Sequence, residues 1–308
     1  MCFTTNFWNL FIGGLANGFI YALIALGYTL VYGVLRLINF AHSEVFMSGA
    51  FGGLFVLQNV IGSKQPSGLA SVGLVVLGLA AGAVSGAAVA FLLERVAYRP
   101  LRRRNAPRLA FLISAIGASY FLYNLAGKEF GRQPISIPNA FTNGTVFTVF
   151  GAPVQTYYVI VAVVTLVLLV LIDRVVALTR LGRGIRAVAQ DADTASLMGV
   201  NIDRVISQTF VIGGLLGGAA GFLYAIPTGV AYTMGFTPGI KAFTAAVLGG
   251  IGNIRGAMIG GLVLGVAENL PVSCIQTSWR DVVAFGILVL VLMFRPTGIL
   301  GEKLGRAA

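Results

Sequence analysis

Long apolar runs, interrupted by short polar linkers, organise this chain. They fall at roughly 9–35, 40–61, 68–93, 109–127, 156–172, 205–228, 240–254, 256–272 and 282–294. Each run is continuous rather than alternating, and most are too long for a strand, so each predicts a helix. A bilayer core about 30 Å thick is crossed by about 20 apolar residues in helical form. Hydrocarbon offers backbone N–H and C=O groups no partner, so a spanning segment must be a helix or a strand of a closed barrel. Barrel strands alternate apolar and polar positions, which these runs do not. The expected fold is an all-α, polytopic transmembrane helical bundle of about eight spans, with broken or re-entrant helices. Residues 1–308 read as one membrane domain. The run from Phe7 to Leu35 is longer than a signal-peptide core and has no basic leader, so it reads as a retained first span. The 240–272 stretch fits either two spans or a re-entrant pair.

Composition sharpens this picture. Hydrophobic residues make up 57% of the 308 positions and charged ones only 10%, and the mean hydropathy is +0.90, whereas soluble domains carry about a quarter charged residues. The net charge of +11 would suit an acidic partner in a soluble protein. Here the arginines cluster beside apolar runs, so the positive-inside bias accounts for them and no nucleic acid is expected. Arg95, Arg99, Arg102, Arg103, Arg104 and Arg108 lie in one linker; Arg174, Arg180, Arg183, Arg186 and Arg204 lie in the linker over 173–204. Both linkers are expected in the cytoplasm. The segment from Lys128 to Gln155 then lies outside as an irregular loop, and Arg295, Lys303 and Arg306 put the C-terminus inside. The 41 glycines concentrate inside apolar runs; Gly78 and Gly82 have the small-xxx-small spacing that lets helix backbones approach closely. Cys2 and Cys274 fit no metal or redox spacing and read as incidental. Asn143-Gly-Thr145 matches a glycosylation sequon too short to carry weight. No internal repeat stands out.

Few groups in the apolar runs carry chemistry, and a charge within a span costs enough to need a reason. Asn39, His42 and Glu44 open the second run. They either line a water-filled path at an interrupted helix or form an interfacial turn, with Asn39 or Ser43 as cap and Glu44 at the helix dipole. Glu268, followed by Pro271, reads first as a helix-end acid among headgroups. Thr244 to Gly256, with Gly249, Gly250 and Gly252, predicts a broken helix whose freed backbone groups hold a polar substrate, or a tight turn between spans. The segment from Gly182 to Arg204 reads as a short amphipathic surface helix, with Ile185, Val188 and Ala189 on one face and Ala195, Leu197, Met198 and Val200 following. It docks on a cytoplasmic protein or lies on lipid headgroups. There is no phosphate-binding loop, no nucleophile elbow and no H-E-x-x-H, and a single histidine excludes a multi-histidine metal site. No metal ligand is assigned.

The stretch Asn39-Phe-Ala-His-Ser-Glu-Val45 resembles the bacterial branched-chain amino acid ABC permeases, where it typically reads N-F-A-H-G-E. Further resemblances follow in order at Glu94-Arg-Val-Ala-Tyr-Arg-Pro-Leu-Arg102, Leu112-Ile-Ser-Ala-Ile-Gly117, Lys241-Ala-Phe-Thr-Ala-Ala-Val-Leu-Gly-Gly-Ile-Gly252, Gly256-Ala-Met-Ile-Gly-Gly261 and Pro296-Thr-Gly-Ile-Leu-Gly301. The resemblance implies a permease subunit, not an enzyme, in the bacterial cytoplasmic membrane. It implies a second homologous permease, two cytoplasmic ATPases that use ATP and Mg, and an extracytoplasmic binding protein. This chain itself would bind no cofactor. Asp193-Thr-Ala-Ser-Leu-Met-Gly199 is a degenerate form of the E-A-A-x-x-x-G coupling motif, so the resemblance places ATPase coupling at Asp193, Ala195 and Gly199, with Arg186 in the same segment. Leucine, isoleucine and valine are the implied substrates; other amino acids, amides or urea belong to related systems. Ser43 stands where the family usually has glycine. The alternative is an ion-coupled secondary transporter or channel using Glu44 or Glu268. An intramembrane enzyme is disfavoured because no nucleophile and base can be paired.

Overall fold

The computed structural model describes residues 7–60, 69–137, 144–273, 279–295 and 297–301. Cys2, Asn143, Cys274, Pro296, Lys303 and Arg306 lie outside the described residues. Each of the nine apolar runs holds a helix among the described residues. In chain order they are α1 (Phe7–Leu35), α2 (His42–Val60), α3 (Leu69–Leu93), continued by a π turn (Glu94–Tyr98) and the short α4 (Arg99–Arg103), α5 (Arg108–Glu129), α6 (Thr156–Leu178), α9 (Ile202–Thr228), α10 (Phe236–Gly249), α11 (Ile254–Asn269) and α12 (Arg280–Phe294). Two shorter helices, α7 (Arg180–Gln190) and α8 (Ala192–Leu197), join α6 to α9. Among the described residues five helices are long and apolar enough to cross a membrane: α1, α3 with its extension to Arg103, α5, α6 and α9. The protein is an all-α polytopic membrane protein. At 14 and 16 residues, α10 and α11 rise only about 21 and 24 Å, short of a hydrocarbon core. They form a pair of short helices around the glycine-rich turn.

The segment expected as an irregular outer loop contains a hairpin. Strands β1 (Thr145–Val149) and β2 (Ala152–Gln155) pair antiparallel, joined by Phe150 and Gly151 with φ of 49° and 82°. Two positive φ values suit the two-residue turns whose twist matches paired strands. Phe150 stacks on Trp8, ring centroids 4.5 Å apart.

The contacts divide the chain into two compact units. One comprises 1–29, 143–169 and 241–308, the other 30–142 and 170–240. In the second, α9 is the central helix: 72% of its most apolar window is buried, against 17% for α5. Its packing against α2 and α3 is backbone to backbone. A Cβ on Gly218 would overlap the Gly82 carbonyl, one on Gly214 would meet Gly86, and one on Gly221 would overlap the Phe46 carbonyl. The spacing of Gly78 and Gly82 is therefore spent on helix packing: Gly78 faces the Phe222 ring, and Gly82 faces Gly49 and Gly218. Such close approach replaces the hydrophobic drive that helices lack in lipid. In the first unit the same device joins α1 to α11, where Gly18 meets Gly261 and Gly14 meets Gly265.

Candidate functional site

The larger unit brings Asn39, His42 and Glu44 together at the start of α2. The Asn39 Oδ1 accepts the Ala41 N–H at 3.1 Å and the Tyr98 hydroxyl at 2.8 Å, so this buried amide turns the chain into the helix and ties it to the π turn. His42 is buried and faces Gly217 of α9, where a Cβ would come within 3.2 Å of the ring. Glu44, in the first turn, is only 3% exposed. Its Oε1 lies 3.1 Å from the Ser119 hydroxyl of α5 and 3.3 Å from that of Ser43. Among the described residues its buried Oε2 has no hydrogen-bond partner. A buried polar atom left without a donor is costly and rare in native structures. This one can accept from an ammonium group or a cation, or carry a proton. The Ser43 hydroxyl also donates to the Phe40 carbonyl at 2.8 Å.

In the other unit, Thr244 is fully buried in α10, and Gly249, Gly250 and Gly252 form the turn into α11. Gly250 and Gly252 have φ of 105° and 98°, which only glycine adopts readily. Gly249 packs against the Gly256 backbone. The carbonyls that end α10 are taken within the unit: Leu248 O accepts from Ile299 N at 2.8 Å and Gly249 O from Leu300 N at 3.1 Å. Asn253 closes the turn, accepting from Gly256 N at 3.0 Å and donating to Leu300 O at 2.9 Å.

Glu268, expected as a helix-end acid, is enclosed by protein. It is 1% exposed, accepts from the Tyr21 hydroxyl of α1 at 2.8 Å and pairs with Lys241 of α10 at 2.9 Å. Lys241 also reaches Asp281 of α12 at 2.8 Å, whose side chain is 53% exposed. Four helices are thus tied by one buried ammonium and two carboxylates. Burial of both charges is tolerated because each answers the other.

The polar linker forms two helices, not one. Asp191 breaks the run and caps α8, accepting from Asp193 N at 3.0 Å, Thr194 N at 3.3 Å and the Thr194 hydroxyl at 2.6 Å. These bonds, the Thr194 hydroxyl first, hold its carboxyl below the usual carboxylate range. Helix α8 ends in paired C-terminal bonds, Val200 N to Ala195 O at 3.0 Å and Gly199 N to Ser196 O at 2.9 Å, with Gly199 at φ 84°. This is the Schellman arrangement, which wants glycine at that position. Ala195, Ile185 and Val188 pack with Val205, Ile206 and Phe210 in one core. The apolar set that follows splits: Leu197 lies about 200° around α8 from buried Ala195 and Met198 caps the helix end, and the two are 88% and 81% exposed. Asp193 is exposed. Arg186 donates to the Val176 carbonyl at the end of α6, and Arg36 to the Ala189 carbonyl at 2.7 Å; both fix the base of this element.

With the geometry in view, similarity to known proteins decides the family. A family model described as branched-chain amino acid transport system / permease component matches residues 10–292. The chain belongs to this family. Among members of the branched-chain permease family, the high-affinity branched-chain amino acid transport system permease protein LivH of Escherichia coli (strain K12) is 43% identical over 94% of each chain. The corresponding permease protein BraD of Pseudomonas aeruginosa is 44% identical, again over 94% of each. A fructose import permease protein of Rhizobium meliloti is 31% identical over 56% of this chain and 49% of its own length. No solved structure matches the chain.

Sequence reasoning missed Lys241 as the partner of Glu268, and Ser119 and Tyr21 as carboxylate ligands. One signal was present: a lone lysine opens one apolar run and a lone acid closes the next, a combination that demands pairing in lipid.

Proposed function

We propose that this branched-chain permease is the membrane-spanning subunit of an ATP-binding-cassette importer that carries leucine, isoleucine and valine across the bacterial cytoplasmic membrane. The observation that carries this reading is the family match from residue 10 to 292. The working assembly pairs the chain with a second homologous permease, two cytoplasmic ATPases and an extracytoplasmic binding protein. ATP and Mg are used on the ATPases, and this chain performs no covalent chemistry. The arginine-rich segments 94–108 and 173–204 and the C-terminus face the cytoplasm, as the positive-inside bias favours.

Coupling passes through α7 and α8. The exposed Leu197 and Met198 form the apolar contact with an ATPase, and Asp193 adds a charge beside them. Ala195, Gly199 and Arg186 hold that element to the membrane helices, so movement of an ATPase is passed to α6 and α9 rather than lost in a loop. On the substrate path we place Asn39, His42 and Glu44 in one unit and Thr244, Gly249, Gly250 and Gly252 in the other. Glu44 offers its free oxygen to the ammonium of the passing amino acid, while the three glycines keep the α10–α11 turn in shape.

The test separates coupling from passage. Replacing Leu197→Asp and Met198→Asp together should abolish co-purification of the ATPase while the chain still accumulates in the membrane. Glu44→Gln should keep the assembly intact and lower ATP-driven uptake. An unchanged ATPase yield in the first variant would sink the docking assignment.

A further inference from the structure

The arginines at the end of α3 line a pocket that the transport reading does not use. It has a volume of about 360 Å3 and is walled by Arg95, Arg99, Pro100, Arg103 and Arg104. Asp203 pairs with Arg99 at 3.0 Å and Arg103 at 3.2 Å, and also with Arg102. Arg102 turns inward to the fully buried Glu94 at 3.0 Å. Among the described residues no acid pairs with Arg95 or Arg104, so the pocket keeps an excess of positive charge.

The surface leading to this pocket is apolar. Val84, Phe91, Leu92 and Val96 are 68%, 41%, 56% and 72% exposed, and they run down one side of α3 to Arg95. The π turn over Glu94–Tyr98 lies where this side reaches the arginines. Tyr98 in this turn is buried, at 1% exposure, and Arg102 pairs with Glu94. A π turn of this kind often marks a functional site.

We propose that this pocket binds the phosphate of an anionic phospholipid, with an acyl chain lying along Val84, Phe91 and Leu92. Guanidinium groups match phosphate oxygens in pairs, and a basic pocket at the end of a spanning helix suits a lipid headgroup. The continuous apolar approach favours lipid over a free anion. The proposal needs α3 to cross the bilayer but does not depend on substrate or ATPase.

The test uses the full chain in nanodiscs of phosphatidylglycerol and phosphatidylcholine, with native mass spectrometry of the lipids that stay bound. Arg95→Gln with Arg104→Gln removes the two unpaired charges and leaves the Asp203 pairs in place. Each arginine near an anionic headgroup is worth about a five-fold change in affinity, so the double variant should lose phosphatidylglycerol by about twenty-five-fold. Arg174→Gln with Arg180→Gln, matched in charge, should retain it, and Arg95→Lys with Arg104→Lys should lose less than the glutamine pair. Equal loss in the charge-matched control would overturn the site. Displacement of phosphatidylglycerol by inorganic phosphate alone, with equal protection of the fold, would assign the pocket to a free anion and overturn the lipid assignment.

Discussion

Replacing Lys241→Met should destabilise the protein far more than loss of a surface charge, and removing its partner as well should restore much of the loss. Lys241 and Glu268 are 2.9 Å apart, with side chains 7% and 1% exposed. Without the ammonium, Glu268 keeps only the Tyr21 hydroxyl as donor, and it cannot turn to water. Breaking a buried pair from one side costs about 3–5 kcal/mol, while replacing both members with apolar groups of similar volume is often neutral. At about 2 °C per kcal/mol for a chain of this size, the single variant should melt about 6–10 °C lower. Lys241→Met with Glu268→Leu should recover most of that. The assay is tryptophan and tyrosine fluorescence during heating of the detergent-solubilised chain, at one fixed scan rate. Additive losses in the two single variants and the double would refute the pairing argument, because coupled residues must deviate from additivity.

The helix packing gives a paired expectation. Gly218→Ala forces a Cβ into the Gly82 carbonyl and should cost about 1–3 kcal/mol, whereas Gly117→Ala in α5 meets nothing within 4 Å and should gain up to about 1 kcal/mol of helix propensity; thermal melts of the two variants check this. Gly199→Ala must hold φ 84° at a cost of about 1–2 kcal/mol, so limited proteolysis should cut near α8 faster than in the unaltered protein. The Asp191 carboxyl has a folded-state pKa below its unfolded value. Its capping contribution is therefore complete above the unfolded value, about 4, and is lost as pH falls through the lower folded value. Proteolysis at α8 should accelerate on acidification below about pH 4, and in Asp191→Asn this acid-dependent step should disappear.

The sequence made the helices legible because long uncharged apolar runs have one solution in lipid. It singled out His42 and Glu44 but left open a water-filled path or a capped interfacial turn, and their burial is visible only in the structure. The hairpin at Thr145–Gln155 was hidden because its turn places Phe150, not Asn or Gly, at a positive φ. The break at Asp191 was hidden because the apolar spacing on either side reads as one helix; only the capping bonds from Asp193 and Thr194 show where it stops. The fate of Leu197 and Met198 depended on that break. Lys241 and Glu268 could be noticed singly, but pairing across 27 residues is a property of how α10 folds back on α11, which no local pattern encodes. The unpartnered Oε2 of Glu44 is likewise visible only once Ser43 and Ser119 are seen to serve Oε1 alone.

The most direct test of the transport account is uptake by the assembly purified from its host through a tag on this chain and reconstituted in vesicles. ATP-dependent accumulation of labelled leucine, isoleucine and valine, with an ATPase present in the purified material, is the expected result. Accumulation by this chain alone on an ion gradient, with no ATPase and no response to ATP, would contradict it.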